Sequence, residues 1–300
     1  MNNYYRISRQ AYLRHFSPEA MSQIPRLHIP ASNKAPFFGH HAEPNTLRRW
    51  LEGLTLDPFG LLWGKVKEHC LFIFEEVEDP IFEFLQGDID YRRLILKRSF
   101  EIFDRVFFAN TLHRHCSLET CDPEYIEGEH GLTVGDHDDL DINGQPYIFP
   151  GYICAIFISK DQAASNSVNP YRPMLQTLLH EMLHAFFVIN ACRCPPFCEK
   201  KYFGQLGQTG HGISWGYAAF FLEKAMNERF GPYWDLNRAV SFAREYDANP
   251  SAYEIDEWIS RWALNSSAVE KFLARREEAR REEADKLAEE EIHTDSEGDE

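Results

Sequence analysis

The chain has 300 residues, 44% of them hydrophobic and 26% charged, and its 31 Lys and Arg stand against 47 Asp and Glu for a formal net charge of −16. That composition belongs to a folded globular chain of one large domain or two small ones and excludes disorder over the whole length. No stretch approaches the roughly 18 consecutive apolar residues of a membrane helix, so no membrane partner is expected.

Residues 1–10 are polar and charged where a secretory signal carries its apolar segment. Seven cysteines, an odd number in a chain too large to need staples, predict reduced thiols and an intracellular location, nuclear or cytoplasmic. Charge is unevenly spread: residues 1–50 carry +5, while 101–150 and 251–300 each carry −9. A tight nucleic-acid binder shows a basic face, and after residue 100 no Lys/Arg cluster of that kind appears, which leaves DNA binding to the N-terminal segment.

In chain order, residues 1–45 read as an irregular lead. Residues 46–91 read as a helical extension, with stretches at 46–51 and 61–74 interrupted by Pro58, Gly60 and Pro80. Leu94, Leu96, Phe100, Phe103, Val106 and Phe107 recur at helical spacings and predict an amphipathic helix over 92–112, packed on a sheet. Strands are expected at 115–119 and 152–158, with a hairpin around Asn143-Gly144 and a loop over the acidic run 136–141. A helix over 170–188 follows, with Asn169 as cap. After a Cys/Pro/Gly-rich connection comes a helix over 212–230, with Ile213, Tyr217, Phe220, Phe221 and Met226 on its apolar side and Gly231-Pro232 as its stop. Residues 233–291 read as helical, and 292–300 as a disordered acidic tail.

The informative string is Leu179-His180-Glu181-Met182-Leu183-His184. Two histidines four residues apart lie on one face of a helix, so both imidazoles can bind one Zn²⁺, and Glu181 beside them can take a proton from a zinc-activated water. Leu178, Leu179, Leu183, Phe186 and Phe187 surround the pair with apolar residues, and a buried polar group is costly unless bonded or metallated. A catalytic zinc needs a third protein ligand and one open position. His211, between Gly210 and Gly212 and directly before an apolar helix, is the first candidate, and Glu223 is its rival. A third histidine six residues after the second is absent, since Asn190 stands there, which excludes metzincin-type ligation.

LLHEMLHAFF followed by GHG and an apolar helix, with a long helix and the strand YICAIFIS upstream, resembles the SprT-like zinc metallopeptidases over residues 92–232. The resemblance implies one Zn²⁺ per chain held by His180, His184 and His211, with Glu181 as catalytic base. It implies cleavage of proteins bound or crosslinked to DNA. The chain departs from the family in a longer connection between His184 and His211 and in having no cysteine after Cys198 for a zinc ribbon.

The fold expected is α+β, a zincin-like core with a small sheet packed on the HExxH helix and helical extensions on both sides. Cys192, Cys194 and Cys198 are expected in a connecting loop, and Cys116, Cys121, His113 and His115 as ordinary structural residues. The strand at 152–159 is a candidate edge for an extended substrate, and Tyr202 and Tyr217 are candidate donors to an oxyanion. The competing reading is a zinc-stabilised binding module that recruits basic proteins such as histones through the acidic C-terminus without turning them over.

Overall fold

The computed structural model describes residues 43–56, 89–108, 110–126, 129–135, 152–160, 171–194, 196–230 and 234–296. These form a mixed α+β arrangement of eight α-helices and a three-stranded sheet. The expected helix at 61–74, the hairpin at Asn143-Gly144, the acidic run 136–141 and the Gly231-Pro232 stop lie outside them.

Helix α1 spans Pro44–Leu56 and α2 spans Ile89–Phe107. The sequence places the end of α2 near residue 112, but the helix stops at Phe107 because the chain turns back on the buried Asp104. That carboxylate accepts the backbone N–H groups of Leu112 and His113, each at 3.0 Å, and Asn110 adopts a left-handed conformation with φ 63°. An interior acid whose oxygens satisfy two amides ends the helix without leaving orphaned donors.

The sheet comprises β1 (Cys116–Cys121), β2 (Gly131–Gly135) and β3 (Cys154–Ser159) in the order β1-β3-β2. β1 runs parallel to β3 with Cys116 opposite Cys154, and β2 runs antiparallel to it with Gly131 opposite Ile158. β3 is buried at all six positions, which explains its unbroken apolar sequence. It is therefore the central strand. The expectation that it offers a substrate edge is wrong: among the described residues the edge beside α3 is β2, a five-residue strand bracketed by glycines whose composition hides it from propensity reasoning.

Helix α3 (Tyr171–Asn190) buries Leu175, Leu178, Leu179, Met182, Leu183, Phe186 and Phe187, more than one face, because it has neighbours on several sides. It contacts β2 and β3, α1 and α2, and α5 (Ile213–Phe230). The connection between α3 and α5 is not all loop: it contains α4 (Phe197–Leu206).

Helices α6 (Arg238–Ala248), α7 (Ile255–Arg261) and α8 (Ser266–Ser296) follow. Trp234 and Leu236 belong to the main core, where the Trp234 ring meets Phe103 edge-on at 6.4 Å. Phe242, Trp258, Trp262 and Val269 form a second cluster against Ile213 and Tyr217 of α5. α5 thus divides its apolar surface. Trp215, Ala218, Ala219, Leu222 and Met226 face the main core, and Phe220 and Phe221, expected on the apolar side, are only half-buried. α8 continues to Ser296, past the expected boundary at 291, with an Arg281–Glu277 pair one turn apart and Arg276 and Arg280 reaching Asp247 of α6. No helix among the described residues is long and apolar enough to cross a membrane.

Candidate metal centre

One turn of α3 separates His180 from His184, and their Nε2 atoms stand 3.2 Å apart. His211, two residues before α5, brings its Nε2 to 3.2 Å from that of His180 and 3.0 Å from that of His184. Among the described residues this is the only group of three or more His, Cys, Asp or Glu side chains close enough to hold one ion.

The ring nitrogens on the other side decide whether those atoms can ligate. His180 Nδ1 lies 2.8 Å from the carbonyl oxygen of Leu236, an acceptor only, so Nδ1 carries the proton and Nε2 presents its lone pair. His211 Nδ1 lies 3.0 Å from Thr209 Oγ1. Ligands of a tetrahedral ion at 2.0–2.1 Å stand roughly 3.3 Å apart, and nitrogens at 3.0–3.2 Å match that spacing to within a few tenths of an ångström. The donor set fits a borderline divalent metal.

Burial pushes the pKa of His180 down to about 4, against the partly opposing bond to Leu236. Burial likewise takes His184 and His211 well below the usual imidazole value, with the neighbouring imidazoles adding to it. All three are therefore neutral near pH 7, the form that binds metal. Trp215, 1% exposed and one turn beyond His211, lies under all three rings, with centroids 4.7 Å from His180 and His211 and a stacked contact of 5.3 Å to His184. Gly210 has φ 81°, and a Cβ there would lie 3.2 Å from His184 Nδ1. A side chain at 210 would strain the backbone and crowd the ligand.

Glu181 sits beside the triad and is 6% exposed, with its Oε1 4.0 Å from His180 Nε2. Thr133 of β2 places its hydroxyl 2.8 Å from Oε2 and 2.9 Å from the Glu181 carbonyl oxygen. Burial raises the Glu181 pKa to about 7, and the Thr133 bond works against that rise. β2 passes so close that a Cβ on Gly131 would come within 2.9 Å of Oε1 and 2.6 Å of Thr177 Cγ2. The strand can lie over the carboxylate only because residue 131 has no side chain.

Triad and carboxylate line a cleft of about 600 Å³, bounded by residues 129–133 on one side and by α6 with the segment before it on the other. Glu129 and Arg244 pair across it at 2.8 Å. Arg244 is the only Lys or Arg among the described lining residues.

The structure separates the remaining candidates from this cleft. Glu223 is engaged elsewhere: its carboxylate takes Arg238 Nη2 at 2.7 Å and Nε at 3.0 Å, and also the Leu236 N–H at 3.1 Å. It therefore braces the segment whose carbonyl orients His180. Tyr202 is buried, with its hydroxyl on Arg193, and Tyr217 packs against Trp258 and Trp262, so neither of these expected oxyanion donors lines the cleft.

Cys116 and Cys121 are buried on β1, facing different clusters, and His113 pairs with Asp104. Cys192, Cys194 and Cys198 are free thiols at the entry to α4. Cys192 is held below the usual thiol value by the Cys194 backbone first and by the two neighbouring thiols after it. Sequence reasoning did not find Thr133, Leu236, Thr209 or Trp215. Only Trp215, at i+4 from His211 on a helix, carried a usable spacing signal.

Comparison of the chain with protein-family profiles, with curated proteins and with solved structures finds no match.

Two predictions follow from this geometry. Replacing Cys192, Cys194 and Cys198 together by Ser should leave metal content at one ion per chain, because the thiols do not converge as the histidines do. Loss of an ion from the triple variant, measured by elemental analysis, would contradict it.

The second concerns the metal-stripped protein. Burial holds the three imidazoles of the fold below their usual pKa and Glu181 above its own, so below about pH 6.5 unfolding takes up protons at the histidines and releases one at Glu181. The depressed histidines lose their stabilising share as pH falls. Glu181, with a raised value, loses its share as pH rises. Three lowered groups outweigh the one raised group, so the stability of the metal-stripped protein should fall as pH drops through about 6.5. A melting temperature of the chelated protein that is no lower at pH 5.5 than at pH 7.5 would contradict this.

Proposed function

We propose that the chain is a zinc-dependent endopeptidase of the SprT-like type, with a zincin-like core, cleaving protein substrates. The observation that carries the reading is the convergence of three neutral imidazole nitrogens beside a buried carboxylate in an open cleft. His180, His184 and His211 would hold one Zn²⁺, as the donor set and its spacing favour. Bound there, zinc supplies Lewis acidity toward a water and the scissile carbonyl.

The chain's own residues do the rest. Glu181 Oε1, on the triad side, takes the water proton and returns it to the leaving amine, while Thr133 on Oε2 keeps the carboxylate aimed. An extended peptide lying along β2 pairs with its backbone and so passes over Glu181. The Arg244 guanidinium on the opposite wall is the charged donor nearest in kind to what a developing oxyanion needs, in place of the tyrosines.

Proteins bound or crosslinked to DNA are the substrate class that the family resemblance points to. The acidic excess of residues 266–300 suits basic proteins such as histones. Recruitment of a basic protein without turnover is the competing reading, and Glu181 disfavours it, since an inert site has no use for a buried base held beside the ligands. The test is digestion of a histone by the zinc-loaded protein, with and without single-stranded DNA. Fragments that vanish with a chelator and return with zinc are expected. Intact histone under every condition would overturn the proposal.

A further inference from the structure

Helix α6 lies outside the stretch in which the zinc-binding pattern is legible, yet it carries a fully buried acid, Glu245. A buried carboxylate is costly unless its oxygens are bonded. Here they are: Oε1 accepts the Gln208 N–H at 2.8 Å and the Tyr253 hydroxyl at 3.3 Å, and Oε2 accepts the Thr209 N–H at 2.8 Å and the Thr209 hydroxyl at 2.7 Å. Three of the four donors belong to the segment just before Gly210-His211.

The Thr209 hydroxyl has one proton. Thr209 donates it to Glu245 Oε2, and the oxygen of that hydroxyl is then left as an acceptor 3.0 Å from His211 Nδ1. The proton of the His211 ring must sit on Nδ1, and Nε2 must face His180 and His184 with its lone pair.

We infer that Glu245 is a positioning residue for the metal centre, acting through Thr209 to fix the tautomer and aim of His211. This rests on the metal-centre reading above and adds to it a residue 34 positions beyond the ligand it serves. The relay runs carboxylate to hydroxyl to imidazole, and its polarity depends on the acid being an acid. In Glu245→Gln an amide N–H facing Thr209 would turn the hydroxyl toward His211 Nδ1, which would move the ring proton to Nε2 and block ligation. Outer partners of metal-ligating histidines are typically worth about 10–100-fold in metal affinity.

The test uses the full chain and measures zinc affinity by chelator competition, together with the visible spectrum of the Co²⁺-loaded protein. Thr209→Val removes the relay and leaves Glu245 its backbone amides, so it guards against the case in which Glu245→Gln fails to fold. Thr209→Val should bind zinc about 10–100-fold more weakly with an altered Co²⁺ spectrum, while the metal-free protein still melts cooperatively, at a temperature lowered by the loss of one hydrogen bond to the buried acid. Thr209→Ser, which keeps the hydroxyl, should restore affinity to within about two-fold and restore the spectrum, a rescue that loss of packing alone would not give. Wild-type affinity and spectrum in Thr209→Val would overturn the inference while leaving the three-histidine centre intact. A wild-type chain that takes up neither metal would overturn both.

Discussion

Glu181→Gln should retain close to one zinc per chain and lose roughly 10²–10⁴-fold in kcat/KM for peptide hydrolysis, the usual contribution of a general base. The substitution keeps the shape of the side chain and leaves an amide oxygen to accept from Thr133, so β2, which lies over residue 181 at Gly131, need not move. Neither His180 nor His211 loses its orienting partner. What disappears is the group that accepts a proton at Oε1. Elemental analysis and steady-state kinetics on the same preparation check both halves. Undiminished hydrolysis in this variant would remove Glu181 from the chemistry, and loss of zinc would make it a structural support of the ligands instead.

His211→Ala should cost more metal affinity than any outer-partner change, because two imidazoles on one helix turn are left to hold the ion alone. Activity should fall with it. Glu223→Ala gives the opposite pattern. Its partner Arg238 is only 9% exposed, so removing the acid strands a nearly buried cation and should destabilise the fold by roughly 3 kcal/mol, while the three imidazoles still hold one zinc, less tightly because the Leu236 segment is no longer braced. The pair of variants therefore separates the two candidate third ligands by isothermal metal titration and thermal melting. Full zinc in His211→Ala together with loss in Glu223→Ala would assign the ligand to Glu223.

The three histidines that converge were legible because HExxH and the GHG before an apolar helix are local patterns, each within a few residues, and helical periodicity alone puts His180 and His184 on one face. The long apolar helices α3 and α5 were legible for the same reason. The sheet was legible only in part. β3 announces itself by its unbroken apolar run, but its central place depends on the pairing of β1 and β2 from either side, and β2 is too short and glycine-rich to signal a strand.

The supports of the site were not legible at all. Leu236 acts through a carbonyl oxygen, which no side chain identity records. Glu245 acts from another helix, through a hydroxyl, on a residue far away in sequence. Glu223 was the rival to His211 because an acid one turn or more into the following helix would imitate a two-His-one-Glu site. Its partner is Arg238, fifteen residues on, and only the fold brings the two together.

X-ray absorption at the zinc edge of the loaded wild-type protein probes the three-histidine centre without relying on any substrate. Three imidazole nitrogens and one further light atom at about 2.0 Å, with one zinc per chain, are the expected result. A sulfur contribution near 2.3 Å would place the metal at Cys192, Cys194 and Cys198 instead, and would contradict the assignment of His180, His184 and His211 as its ligands.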